Sequence, residues 1–294
     1  MSIYSEPGSQ DPYLTEPVPP PPPPTEPPPR RIPHLGHALL FIVIAAAVVF
    51  GLLISVLILS GGLNQHGQPA SLHPKLQVLS LGTGYILTFI AATLLFPRIW
   101  NRSFLDGIRW NWYTARLHAP KLITLGLLLG LMMQLVTYFI TPPKKLPIDE
   151  FFATPLDAWL ITIFGIFIAP AFEEICFRGF LVPGFAIAYD FLTIPRTPEA
   201  RIQWQTTTIL TPVSLMFSAV ATSLLFAWMH AAQVSYLWPA LVALFSVSLL
   251  LTMVRVRTQS VAASTIVHAA YNSFIFIAVL IETGGYRHLE RLAR

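Results

Sequence analysis

The chain has 294 residues, 54% hydrophobic and only 11% charged, with a formal net charge of +4 and a mean hydropathy of +0.62. Soluble domains carry about a quarter charged residues, so this composition excludes an ordinary soluble enzyme. It also assigns the positive excess to membrane topology and not to nucleic acid, and the single Cys176 excludes an intramolecular disulfide.

Residues 1–35 form a first unit, with unbroken proline from Pro19 to Pro24 and from Pro27 to Pro29. They hold too little apolar bulk to fold, so a disordered, extended proline-rich tail is expected, acting as a spacer. No cleavable signal peptide is read before the first apolar run, which would serve as an uncleaved anchor. Seven apolar runs then follow, at about 38–60, 78–96, 122–140, 158–186, 212–232, 237–254 and 260–281. Each is near or above the ~20 residues that cross a bilayer of ~30 Å. The fold class is therefore all-α, a polytopic transmembrane helical bundle of seven or eight spans.

We divide it into N-terminal spans over 36–150, a second group over 151–285 and a short tail over 286–294. The fourth run is much the longest and contains Pro170 and Pro183, so it is a long tilted helix or one broken at Pro170. No internal repeat suggests an inverted-repeat transporter. Eleven Lys and Arg fall in the N-terminal tail and even-numbered loops, against six in the odd loops and C-terminus. That bias predicts a cytoplasmic N-terminus, and a single polytopic chain with an N-terminal anchor suits a bacterial inner (plasma) membrane, with a eukaryotic endomembrane as the alternative. Trp100, Trp110, Trp112, Tyr113 and Trp238 lie near span ends, where amphipathic rings anchor at the interface.

Three polar signals interrupt these runs. Glu173 and Glu174 are followed by Arg178 in the fourth; Phe226 and His230 end the fifth; His268 and Asn272 lie in the seventh. Charges in hydrocarbon cost from a few to more than ten kcal/mol and mark function by default. Phe226 with His230, His268 with Asn272 and Glu174 with Arg178 are each spaced i,i+4, on one helix face, and Glu174 before Arg178 is the favourable order for an ion pair. Glu173 lies about 100° around the helix from Glu174, so the two carboxylates need different partners.

These residues, as Glu-Glu-x-x-x-Arg, Phe-x-x-x-His and His-x-x-x-Asn, resemble in order the three motifs of the CAAX-protease and bacteriocin-processing (CPBP, or Abi) family. That family of polytopic intramembrane proteases includes the type II CAAX prenyl endopeptidases. The Phe177–Gly179 continuation and the Arg-x-Arg-Thr run from Arg255 to Thr258 are similar too, so the resemblance spans about residues 155–285. It implies a catalytic set of Glu173, His230, His268 and Asn272, supported by Glu174, Arg178 and Phe226. The partners it implies are a membrane-associated protein or peptide, prenylated or bacteriocin-like, and the lipid bilayer, with no nucleic acid.

The chemistry can be built from the residues as well. Peptide hydrolysis within a membrane needs a water, a base and donors for the oxyanion. Glu173 suits the base, His230 can hold the water or protonate the leaving amine, and His268 with Asn272 can face an oxyanion. Glu174 with Arg178 suits a structural pair, Phe226 suits packing, and Cys176 suits inert filler. No cofactor is required on this reading. The alternative is Zn²⁺ held by Glu173, His230 and His268, although no His-Glu-x-x-His helix is present. Competing functions are a non-catalytic membrane immunity or scaffold protein and a proton-coupled transporter. Convergence of Glu173, His230, His268 and Asn272 on one water-accessible cavity separates catalysis from a relay strung across the membrane. Strict alternation of spans makes that convergence depend on offset or tilted helices, because His230 and His268 lie at opposite ends of theirs.

Overall fold

The structure, a computed structural model, describes residues 31–61, 72–139 and 147–293. The proline-rich tail and the loop bearing Lys144 and Lys145 lie outside the described residues. The described residues are helical, with no strand, and seven helices are long and apolar enough to cross a membrane. In order the helices are α1 (Leu35–Leu59), α2 (Pro74–Trp100), the short α3 (Phe104–Gly107) and α4 (Trp112–Leu117), and α5 (Ala119–Phe139). There follow α6 (Pro155–Thr193), α7 (Pro198–Thr206), α8 (Pro212–Met229), α9 (Trp238–Thr258) and α10 (Val261–Glu282). Large apolar side chains such as Val43, Phe50, Leu94 and Met216 remain exposed, as a lipid-facing surface requires.

The starts of α6, α7 and α8 share one local device. Thr154, Thr197 and Thr211 each precede a proline, and each hydroxyl accepts a backbone N–H three residues on. Threonine at the cap satisfies an orphan donor, while proline in the first turn has no N–H to leave unpaired.

Helix α6 is continuous but not uniformly α-helical. It widens into π turns over Phe164–Ile168 and Ile175–Leu181, on either side of Ala169–Glu174. Each π turn ends two residues before a proline, Pro170 or Pro183. A proline ring in a helix collides with the carbonyl four residues back, and its nitrogen donates nothing. The wider turn accommodates that ring. The Ala169 N–H reaches back to the Phe164 carbonyl, and the Val182 N–H to that of Phe177. The next nitrogens belong to Pro170 and Pro183, so the Gly165 and Arg178 carbonyls lose their helical donors. Asn272 Nδ2 supplies one at 2.6 Å, and Arg255 Nε the other at 3.4 Å. Of the two expectations, a long helix or one broken at Pro170, the structure has the long helix, with a π turn and a side-chain cap at each proline.

The flanking helices meet α6 at different levels. Ser218 Oγ donates to the Val182 carbonyl at 2.6 Å and Ser214 Oγ to Asp190 at 3.0 Å, so α8 runs antiparallel to the C-terminal half of α6. Helix α10 crosses the middle of α6 instead, through Asn272–Gly165 and His268–Glu174. The end of α8 and the second turn of α10 therefore reach the same point on α6, which supplies the required offset. Behind α10, α5 packs in parallel at glycines. A Cβ at Gly126 would lie 2.4 Å from the Val267 carbonyl oxygen, and one at Gly130 2.5 Å from Phe274 Cβ. Small residues at such crossings let membrane helices approach closely.

Candidate active site

Glu173, His230 and His268 form one cluster. Glu173 Oε2 lies 3.9 Å from His230 Nε2 and 3.8 Å from His268 Nε2. The Glu173 and His230 side chains keep 16% and 18% of their surface exposed, whereas His268 is buried, so the cluster opens on the Glu173–His230 side. Phe226 is buried against both imidazoles, with ring centroids 4.4 Å from His230 and 5.8 Å from His268.

The other nitrogen of each imidazole is committed. His230 Nδ1 lies 2.8 Å from the Phe226 carbonyl and His268 Nδ1 lies 3.0 Å from Glu174 Oε1. Both partners only accept hydrogen bonds, which assigns a proton to each Nδ1. In the neutral imidazoles, both Nε2 atoms are then acceptors and face a third acceptor, Glu173 Oε2. Two imidazole acceptors, each 3.8–3.9 Å from the same carboxylate oxygen, call for a donor or a cation between them and it. Water fits, since it can donate one proton to Glu173 and one to an imidazole.

The second glutamate belongs to a different network. Glu174 and Arg178 are both fully buried, and Arg178 Nη1 donates to Glu174 Oε1 at 2.8 Å. Arg178 Nη2 donates at 2.8 Å to both the carbonyl and the hydroxyl oxygen of Ser248. Glu174 Oε1 thus joins Arg178 to His268, and holds the imidazole whose other nitrogen faces Glu173. Spacing alone gave no sign of the Glu174–His268 contact or of Ser248. Tyr85, stacked on Phe172 at 3.8 Å, was also missed.

Asn272 stands apart from the expected arrangement. One of its amide protons caps Gly165, leaving the other for any role beside His268. Its signal in the sequence was Pro170, whose missing N–H frees that carbonyl. Cys176 is partly buried and unoxidised, packed at the edge of the core.

Residues 155–274 match the Rce1-like family model, described as type II CAAX prenyl endopeptidase Rce1-like. The chain carries a CAAX-protease-like segment. No curated protein and no solved structure matches it. The CAAX-protease-like segment includes α6, α8, α9 and the part of α10 bearing His268 and Asn272, so every residue of the cluster falls inside it. The match likens the segment to a peptidase family, and seven apolar helices place the chain in a multi-pass membrane setting.

Proposed function

We propose that the protein is an intramembrane endopeptidase that cleaves a membrane-associated protein or peptide, CAAX-type prenylated or bacteriocin-like, with water activated by Glu173. The observation that carries this reading is the meeting of three acceptor atoms, Glu173 Oε2, His230 Nε2 and His268 Nε2, at 3.8–3.9 Å. A water among them is aligned by its two protons, with its lone pairs free for a carbonyl carbon. Glu173 takes the proton released on attack. His230, the more exposed imidazole, receives that proton from Glu173 at Nε2 and passes it to the leaving amine, which restores the resting state of both side chains. His268 faces the oxyanion as a donor when doubly protonated, with Nδ1–H kept on Glu174. The second amide proton of Asn272 is the further donor.

Zn²⁺ is the alternative, because each imidazole anchors Nδ1–H and offers Nε2, the usual arrangement of a metal-ligating histidine, although among the described residues no group of three His, Cys, Asp or Glu side chains is arranged to hold a metal ion. Glu173, His230 and His268 would hold the ion, and it would supply an activated water. The metal-free route needs nothing beyond these residues. A proton-coupled transporter would string its ionisable groups along the membrane normal, and a scaffold or immunity protein would not need acceptors aimed at one another. The excess of Lys and Arg at the tail and even loops supports a cytoplasmic N-terminus in a bacterial inner membrane.

Peptides released from membranes carrying the wild type or Glu173→Gln test the reading. Cleavage of the native substrate should disappear in the variant while the protein stays folded. Wild-type cleavage by Glu173→Gln would remove Glu173 as the base. Activity lost to a chelator and restored by Zn²⁺ would establish the metal route instead.

A further inference from the structure

A cavity of about 560 Å³ opens at the end of the bundle where α6, α8 and α9 meet the α2–α3 loop. It is separate from the catalytic cluster. Val182, on its wall, is nine residues beyond Glu173, roughly 13 Å along the helix axis. Four arginines line it, Arg31, Arg102, Arg109 and Arg255, against one carboxylate, Asp106.

None of the four arginines has an acidic side chain as its hydrogen-bonding partner among the described residues. Arg31 stacks on Trp204 at 3.5 Å and donates to the Trp204 and Thr207 carbonyls. Asp190, whose charge reaches Arg31, already accepts bonds from Thr211 and Ser214. Arg109 donates to the Gln259 amide oxygen, and Asp106 is taken by the Ser103 hydroxyl.

Arg255 is the decisive residue. It is only 6% exposed, and among the described residues its one hydrogen bond is from Nε to the Arg178 carbonyl freed by Pro183. No described residue partners either terminal nitrogen, and the side chain lines the cavity. A buried guanidinium without a counter-charge is costly, by several kcal/mol. Nearby, Arg109 holds a left-handed backbone (φ +60°), strained for a residue other than glycine, and its carbonyl accepts the Val261 N–H. That contact pins the α3–α4 excursion onto the α9–α10 turn and brings a second cation to Arg255.

The remaining lining includes the apolar Pro33, Val182, Ile187, Leu210 and Leu215. Cations and hydrocarbon around one cavity describe an amphiphile with an anionic head. Guanidinium forks match phosphate oxygens two at a time. A membrane surface rich in anionic lipid also faces the protein end that carries the excess of Lys and Arg. We propose that this cavity binds a phosphate group, presented as the headgroup of an anionic phospholipid, with Arg255 at its centre and Arg102 and Arg109 beside it. The proposal is independent of the peptidase reading.

Native mass spectrometry of the full-length protein tests it, with phosphatidylglycerol, phosphatidylcholine or inorganic phosphate as probes and thermal midpoints measured in parallel. The wild type should retain phosphatidylglycerol and release phosphatidylcholine. Arg255→Gln should abolish that selectivity. Because that variant empties a buried position and can misfold, the exposed pair Arg102→Gln/Arg109→Gln is the second probe. It should weaken phosphatidylglycerol about tenfold or more, the equivalent of one lost charge-assisted hydrogen bond, and leave the midpoint without lipid unchanged. Equal retention of the two lipids, or wild-type retention by the double variant, overturns the proposal. A midpoint raised as much by inorganic phosphate as by phosphatidylglycerol overturns the lipid source and leaves a free-phosphate site.

Discussion

Replacing Arg178 by Met removes a cation while keeping much of its length. Three hydrogen bonds of 2.8 Å are lost, one to Glu174 and two to Ser248. The larger effect falls on what remains. Glu174 is fully buried, so among the described residues the carboxylate is left with only His268 Nδ1–H and the Ser264 hydroxyl, neither of them a fixed cation. Breaking a buried pair from one side costs about 3–5 kcal/mol, whereas replacing both partners by neutral groups costs far less. That is a loss of roughly 10²–10⁴ in the folding equilibrium, much of the usual 5–15 kcal/mol of a folded domain. Arg178→Met should therefore be severely destabilised, and Glu174→Gln/Arg178→Met should regain most of the loss in thermal or denaturant unfolding in detergent. Peptidase activity should not return with stability. A glutamine at position 174 can turn its NH₂ toward His268 Nδ1, which moves the imidazole proton to Nε2 and closes an acceptor on the Glu173 side. An Arg178→Met protein as stable as the wild type would refute the reasoning, as would a double variant no more stable than the single.

Other outcomes follow from single contacts. Asn272→Ala strands the Gly165 carbonyl and should cost about 1–3 kcal/mol, but less in a Pro170→Ala background, where a backbone N–H is restored; equal costs in a double-mutant cycle would reject the capping role. Gly126→Val forces a side chain against the Val267 carbonyl and Ala270, and should cost about 1–3 kcal/mol by overpacking, read as a lowered midpoint. Tyr286→Phe loses the 2.6 Å bond to Thr162, worth about 0.5–1.5 kcal/mol. Burial raises the Tyr286 hydroxyl above the ordinary value of 10.0. An acid raised in the folded state contributes stability below its unfolded pKa and loses it as pH rises through the folded one. Wild-type stability should thus fall more steeply above pH 10 than that of Tyr286→Phe, in unfolding measurements across that range.

The bundle was legible because hydrocarbon imposes length and apolarity on every span, and Thr-Pro starts mark α6, α7 and α8. The Glu174–Arg178 pair was legible from its spacing, since i,i+4 neighbours touch within one helix without help from the rest of the fold. Relations between helices were harder. His230 ends an 18-residue helix and His268 lies in the second turn of another, so alternation alone sets them at different depths. Their meeting depends on the register of α8 against Val182 and Asp190, which a serine hydroxyl fixes without leaving a pattern in the chain. Ser248 is equally silent, a small residue whose importance comes only from facing Arg178.

Pro170 and Pro183 connect the two sites described here. A proline in a spanning helix leaves a carbonyl without its donor, and in hydrocarbon no water replaces it. Each such carbonyl on α6 draws a polar side chain from a neighbouring helix: Asn272 of α10 to Gly165, and Arg255 of α9 to Arg178. The first contact holds α10 in the register that sets His268, one turn before Asn272, against Glu174 and Glu173. The second buries a guanidinium at the basic end, where among the described residues only one of its nitrogens is satisfied. The same backbone defect, repeated at a spacing of thirteen residues, thus orders the Glu173–His230–His268 cluster at one point and, among the described residues, leaves a cation without a counter-charge facing a cavity at the other. Kinked helices are usually explained by what the proline breaks. On α6 the consequence lies in what the broken ladder recruits, and the recruited residues are the ones with chemistry left over.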